Sequence, residues 1–487
     1  MSTQFHKNTS QDKKKKAIIL GAGATGLKIA AELARAGYAV TLLEKNTHIG
    51  GMAYSFQYKD VILDYGPHKF YSQIKGIMSE YKEILANDCL VREKTNSLYL
   101  LGKYFRFPPN PFQLAFGINP IILAKCGMSY CSSFIGSLFS SRKNVSYEDY
   151  FLHGFGKACY ELLFKDFCWK VWGDPKIISE ELARRRIPVP NIKELVKNAF
   201  TGEQDKPDVS AKYFYYPKQG FGKLSDILAD RVQSYGGVIQ LGVLPLEIVT
   251  DGKRVTSVVY SDHTKKKQTL DDIDVFISTI HLKDFIGLFT PHAPSFVADA
   301  AGALHYRALR LCYVFLDKDR ALQDNWFFFP EQSVCFNRVS EQKSFSPFTV
   351  PSGKTVITAE ITCDIDSSHY IMDDAALRAV VLEDLEKVGI LKKEEVTGLV
   401  TDFFTKKLAR VYPVYAIDFR VHLSSVLDYI HSFENVYTIG RQGLFNYNNT
   451  DHCMDMANLT AQHILSNGNR DEWQKIVQIF DTYKIVD

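Results

Sequence analysis

The stretch from Ala17 to Glu44 constrains this chain more than any other. Ala17-Ile18-Ile19-Leu20 is a short apolar run that ends in Gly21-Ala22-Gly23-Ala24-Thr25-Gly26. Behind it Leu27, Ile29, Ala30, Leu33 and Ala34 recur at helical spacing, and a second apolar run, Ala39 to Leu43, ends at Glu44. Strand, glycine turn, helix and strand within about 30 residues make a right-handed βαβ unit. Gly21 allows the tight turn, Gly23 lets backbone approach a pyrophosphate, and Gly26 permits close helix packing. The N–H groups at the helix start, around Ala24, Thr25 and Gly26, and the positive end of its dipole face that pyrophosphate. Glu44, 18 positions past Gly26, is placed to accept both ribose hydroxyls, which argues against a 2′-phosphate. A glycine triplet alone is a weak signal; with both strands, the helix and the acid it specifies a dinucleotide site.

Composition excludes several classes. The 487 residues, 46% apolar and 23% charged, suffice for a large core in two or three domains. A formal charge of +3 is too balanced to imply a nucleic-acid partner, and the one dense basic run, Lys13 to Lys16, reads as a solvated flank. No apolar run precedes the first strand, which speaks against a secretory signal and for a cytoplasmic protein. Nine cysteines without a C-x-x-C pair indicate neither a disulfide framework nor a metal site, and read as reduced packing residues. The most lipid-like stretch, Phe112 to Phe139, is broken by Pro120, Lys125, glycines and serines, short of the roughly 20 apolar residues that span a bilayer. It is expected to be a buried helix, with a peripheral membrane patch as the alternative. No sequence feature reports the oligomeric state.

Further along, Phe221 to Tyr235 reads as a helix, Val238 to Leu241 as a strand, Asp251-Gly252 as a turn before a hairpin strand at Val255 to Tyr260, and Asp274 to Ile280 as a buried strand. Asn435 to Gly440 is again an apolar strand running into a glycine, and a helix carrying Met454, Leu459, Ile464 and Leu465 follows. Nucleotide-domain pieces are therefore expected in 1–75, 213–290 and 431–487. A largely helical region (76–212) and a mixed region (291–430) would form a discontinuous substrate domain.

After Glu44 comes Lys45-Asn46-Thr47-His48-Ile49-Gly50-Gly51-Met52-Ala53. A glycine pair about six residues past the ribose acid resembles the FAD proteins of the amine oxidase and protoporphyrinogen oxidase superfamily. That resemblance implies FAD as cofactor, with backbone at Lys45, Gly50, Gly51 and Met52 along it, and adds Val243 at the end of the middle strand. Tyr65-Gly66-Pro67-His68-Lys69-Phe70 looks like the G-P-H-x-F segment of UDP-galactopyranose mutases, which places His68 beside the isoalloxazine ring. Three further stretches resemble that family in order. Phe164 to Gly173, then Arg186 to Val189, put Trp172 on the uracil or sugar end and Arg186 on the substrate diphosphate. Asn337 to Phe345 puts Arg338 on the same diphosphate. Gly440-Arg441-Gln442-Gly443 through Tyr447 to Asp451 sets Gly440 and Arg441 at the cofactor, Tyr447 at the diphosphate and Asp451 by the ribityl chain. Each has a plain alternative: Trp172 in a core, Arg186 one of three adjacent arginines on a solvated face, Tyr447 a packing residue. Arginine suits a diphosphate, since its planar fork meets phosphate oxygens bidentately.

The departures are Tyr71 where the mutase pattern has a second histidine, Pro190 where it has an arginine, and Asn449-Thr450 where aspartate-methionine is usual. Tyr215 to Leu224 instead resembles protoporphyrinogen-oxidase-like proteins. The expected fold is α/β: a discontinuous Rossmann-like FAD domain with a mixed helical and β-sheet substrate domain, the site lying where they meet. Two activities compete: redox-neutral isomerisation of a nucleotide sugar at reduced flavin, as in the mutases, and removal of a hydride from a carbon substrate, as in the oxidases. A flavin-binding partner protein without turnover is the third reading. The partner expected is a small molecule, a nucleotide sugar.

Overall fold

Five parallel strands stand side by side in the order Val436–Thr438, Val275–Ser278, Lys16–Leu20, Ala39–Glu44, Val238–Leu241. They come from the start, middle and end of the chain, and the computed structural model describes residues 14–107, 111–139, 144–186 and 212–485. The central strands are covered on both faces and so read as unbroken apolar runs: Ala17, Ile18, Ile19 and Leu20 are all buried. Helix Ala24–Arg35 and helix Thr450–Leu465 pack together beside this sheet, sharing a core of Leu27, Leu33, Met454 and Ala461. Buried Lys28 is held by Glu32 and Glu80, each at 2.5 Å.

A second layer is the seven-stranded sheet Val400–Pro413, Tyr306–Leu316, Thr355–Cys363, Arg338–Glu341, Trp326–Phe328, Asn96–Leu100, Lys103–Arg106. The first five strands pair antiparallel; Trp326–Phe328 runs parallel to Asn96–Leu100. The hairpin expected around Asp251-Gly252 pairs Leu244–Thr250 with Val255–Ser261, its turn held by Asp251 Oδ1, which accepts the N–H groups of Lys253 (2.9 Å) and Arg254 (2.8 Å).

Two expectations need correction. The 76–212 stretch is less purely helical than its composition suggests: Cys89–Glu93, Asn96–Leu100 and Lys103–Arg106 are strands, two of them completing the large sheet. Their burial does not follow a strict alternation, so the period-2 signal of a half-covered strand is weak there. The Phe112 to Phe139 segment forms helices Pro111–Gly117 and Pro120–Phe139, but the longer helix is not buried. It packs on one side, against helix Tyr147–Phe155 and a small core of Leu100, Phe105 and Ile118, and leaves Ile121, Met128 and Ile135 exposed. Among the described residues no helix is long and apolar enough to cross a membrane. Lys13 and Ile187 to Pro190, named above, lie outside the described residues.

Candidate active site

The carboxyl ends of the parallel strands and the face of the large sheet enclose a cleft of about 690 Å³, within the range of small-molecule and cofactor sites. The glycine turn and the segment from Glu44 contribute Gly21, Gly23, Ala24, Thr25, Glu44, Lys45, Gly50, Gly51 and Met52 to its lining. Gly21 holds φ at +98°, and a Cβ there would stand 2.5 Å from Thr279 Oγ1. A Cβ on Gly26 would strike the Gly21 carbonyl oxygen, so Gly26 packs under the turn instead of lining the cleft. A Cβ on Gly23, by contrast, would have no atom of the described residues within 4 Å. The Gly50-Gly51 pair rests on this turn, with Gly50 N–H donating to the Ala22 carbonyl at 2.8 Å. The Glu44 carboxylate is held firmly at the strand end. Its Oε2 accepts from Ala22 N–H (2.8 Å), and its Oε1 from the Asn46 backbone (2.9 Å) and side chain (2.8 Å). Val243 is buried and does not line the cleft; its N–H donates to the Glu44 carbonyl at 3.0 Å.

Gly440 closes against the glycine turn, where a Cβ on it would stand 2.8 Å from Thr25 Oγ1, and the lining also includes Arg441, His68, Arg338 and Arg186. His68 stacks on Phe221, 4.9 Å between centroids, and its Nδ1 lies 3.0 Å from the Gly66 carbonyl. Burial pushes its pKa down to about 4, opposed by hydrogen bonds to backbone at Gly66 and Met52 and helped by the nearby Arg338 and Arg441. Arg338 is bidentate on buried Glu360, 2.7 and 2.8 Å. Of the three adjacent arginines, Arg184 and Arg185 pair with Glu180 and Glu181 on their own helix at 2.8 Å, while Arg186 lines the cleft over the Tyr447 ring. Arg441 lies over the Tyr412 ring at 5.5 Å, and Tyr412 lines the cleft with Arg338 and Arg186. Seven Lys and Arg side chains line the cleft (Lys45, Lys69, Arg186, Arg338, Lys407, Arg410, Arg441) against three carboxylates (Glu44, Asp284, Glu360). The cleft is built for anions.

Besides Gly26 and Val243, three further expected residues stand elsewhere. Trp172 is buried between Tyr147 and Phe167 and does not line the cleft; the apolar pocket of the helical region claims its ring. Tyr447 is buried too, its hydroxyl donating to the Pro413 carbonyl, with its ring beneath Arg186 (4.9 Å) and Arg441 (5.7 Å). Asp451 lines a smaller cavity of about 250 Å³ with Tyr71, Ser72 and His452, which meets the main cleft at Asn449. Residues that the motifs did not name include Glu360, Trp326, Arg410 and Tyr412. Glu360 alone left a trace, as the single charge in the apolar run Thr355–Cys363.

Residues 186–445, more than half of the chain, match the model of the flavin containing amine oxidoreductases, and residues 19–81 that of an NAD(P)-binding Rossmann-like domain. The chain belongs to the flavin containing amine oxidoreductase family. Over 225 residues, 44% of this chain, it is 27% identical to a probable UDP-galactopyranose mutase of Klebsiella pneumoniae; the match spans about half (53%) of that relative. The fold is that of a crystal structure of reduced UDP-galactopyranose mutase (TM-score 0.79, 19% identity, 93% of this chain and 94% of that one). A structure assigned as a protoporphyrinogen oxidase of Exiguobacterium sp. 255-15 shares it at TM-score 0.70 and 16% identity, over 92% and 98% of the two chains. As a member of this flavin family the protein is an FAD-dependent enzyme. The donor set suits a dinucleotide: open space over Gly23, helical N–H groups aimed at it, an anchored carboxylate at Glu44, and buried Gln442 and Asp451 oxygens without a hydrogen-bond partner among the described residues.

Proposed function

We propose that this FAD enzyme acts on a substrate carrying a diphosphate, a nucleotide sugar, in the manner of UDP-galactopyranose mutase. The observation that carries the reading is that Arg186, Arg338 and Arg441 line one cleft together with His68, Arg186 and Arg441 both lying over the Tyr447 ring and Arg441 also over Tyr412. A planar guanidinium offers paired donors to phosphate oxygens, and a single dinucleotide already has its own pyrophosphate site at the helix start. In this reading Gly21, Gly23, Ala24, Thr25 and Glu44 hold the adenosine diphosphate half of FAD. Gly50, Gly51, Met52, Gly440 and Gln442 follow its backbone, and Asp451 acts through Asn449. Arg338, oriented by Glu360, and Arg186 grip the substrate diphosphate, while Tyr447 positions Arg186 and Arg441 from below. His68, neutral across the physiological range, presents imidazole and not imidazolium to the reacting centre. FAD supplies the hard chemistry when bound, and the protein supplies orientation and charge.

A second reading, removal of a hydride from a carbon substrate, is favoured by the aromatic residues Trp326, Phe328 and Phe345 in the lining of the same cleft. Titrating UDP-sugars into the oxidised and the reduced enzyme under anaerobic conditions separates the two. The mutase reading expects binding, and product without consumption of reductant once the flavin is reduced. Stoichiometric flavin reduction by a carbon substrate supports the second reading, and no binding of UDP-sugars to either form removes the first.

A further inference from the structure

Helix Pro120–Phe139 exposes a stripe that packs against none of the described hydrophobic cores. Ile121, Ala124, Met128, Cys131 and Ile135 are all exposed, and their 3-4-3-4 spacing puts them on one face, about 21 Å long at 1.5 Å per residue. The large ones are far from buried: Ile121 and Met128 are 66% exposed and Ile135 55%, and Phe116 on the preceding helix is 89% exposed. A soluble surface scatters such side chains singly; a row of them marks an interaction face. The opposite side of the helix supplies the packing, through Ile122 and Leu123 against Leu100 and Phe105.

Charge names the partner. The chain as a whole is nearly balanced, 58 Lys and Arg against 55 Asp and Glu, yet Lys94 to Tyr147 contains six Lys and Arg and no acid. Within it Lys125 is exposed on the same helix, and Lys103 and Arg106 are exposed on the edge strand that contacts the preceding helix Pro111–Gly117, Lys103 donating to the Gly117 carbonyl at 3.0 Å. Apolar side chains rimmed by unbalanced cations fit a sheet of anionic headgroups over an acyl interior. The same rim disfavours a second copy, because a two-fold contact would set these cations against themselves.

We infer that this face docks on an anionic lipid surface, the helix lying in the interface and not through it. The active-site cleft would then open close to the lipid. Strand Trp326–Phe328, which lines the cleft, is separated from the edge strand Lys103–Arg106 only by Asn96–Leu100. The Phe107 ring, just past that edge, lies 5.4 Å from Phe328.

The test is flotation of the FAD-loaded full chain with phosphatidylcholine vesicles, with and without phosphatidylglycerol. The parent floats with the anionic vesicles, and raising salt weakens this. Ile121→Glu with Met128→Glu lowers the bound fraction about ten-fold or more, while flavin absorbance and melting temperature stay those of the parent. Should that pair fail to fold, Lys103→Glu with Lys125→Glu provides the second arm, lowering binding to anionic vesicles alone. A parent that stays unbound with both vesicle types overturns the inference. So does flotation that neither pair of substitutions changes, or a parent dimer in vesicle-free solution that Ile121→Glu with Met128→Glu converts to monomer.

Discussion

Glu360 and Arg338 meet edge to edge, Oε1 to Nε at 2.7 Å and Oε2 to Nη2 at 2.8 Å, with the carboxylate fully buried under Gly66. The pair joins neighbouring strands Arg338–Glu341 and Thr355–Cys363, with Gly66, two residues before His68, packed over the carboxylate. Truncating one member of a buried, hydrogen-bonded charge pair costs about 2–5 kcal/mol. In the proposed reading Arg338 also pairs with the substrate diphosphate, and losing that charge pair in Arg338→Ala at the same cost would weaken UDP-sugar binding roughly 30-fold or more, with FAD retained. Glu360→Gln should move affinity in the same direction, because an amide turns a donor toward the guanidinium. Calorimetric titration with flavin absorbance followed in parallel checks both; parent-like affinity in the two variants would remove Arg338 from the substrate site.

Gly23 and Gly26 differ in what a side chain would meet. A Cβ at Gly23 has no atom of the described residues within 4 Å, whereas one at Gly26 collides with the Gly21 carbonyl oxygen. Gly23→Val should therefore give a folded but colourless protein that does not take up added FAD, since the branches fill the approach to the pyrophosphate. Gly26→Ala should destabilise the fold itself by about 1–3 kcal/mol, as overpacking does. Circular dichroism and melting curves of both variants, with and without FAD, distinguish the two. A yellow Gly23→Val protein would detach the glycine turn from the cofactor.

The glycine turn, Glu44 and the parallel sheet were legible because their signals are local: an apolar run, a turn residue and a helix period within about 30 residues. The direction of a buried side chain is not local. Trp172 and Tyr447 sit in motifs that suggested contact with substrate, but the tertiary packing turns one into an aromatic core and commits the hydroxyl of the other to Pro413. Glu360 belonged to no motif and shows only as an acid in an apolar strand, a signal that states burial without naming a partner. The Pro120–Phe139 helix was expected to be buried because composition counts apolar residues and cannot tell whether both faces are covered.

Asp64 gives a pH-dependent prediction. It is buried beside Ser55, Tyr216 and the Phe221 N–H, and burial raises its pKa from 3.8 to about 6 against the pull of those hydrogen bonds. Its folded-state pKa lies above the unfolded one, so its contribution to stability is full below pH 3.8 and is lost as pH rises through 6. Relative to Asp64→Asn, the parent should lose up to about 3 kcal/mol between these limits. Chemical denaturation of both proteins across about pH 4 to 7 measures this. A stability difference that does not change with pH would contradict it.

His68 carries the opposite sign. Burial, with Arg338 and Arg441 nearby, depresses its pKa from 6.5 to about 4, so its stabilising share is full above pH 6.5 and is lost as pH falls through about 4. His281 and His431 are shifted the same way by burial, and the parent should therefore lose stability on acidification below about 6.5, with His68→Ala losing less. In catalysis the neutral ring has a separate consequence. If His68 acts on the reacting centre as imidazole, His68→Ala retains FAD but slows the chemical step, on the order of 10²-fold for a lost proton-transfer or orienting group. The pH profile of the parent's single-turnover rate should then show no acid limb near 6.5, the ordinary histidine value. Asp451→Ala, one layer behind Asn449, should instead loosen FAD while leaving the rate of the loaded enzyme close to the parent's. Rapid-mixing turnover of the reduced, FAD-saturated proteins at several pH values separates the two roles. An unchanged rate in His68→Ala would leave His68 as a packing residue stacked on Phe221.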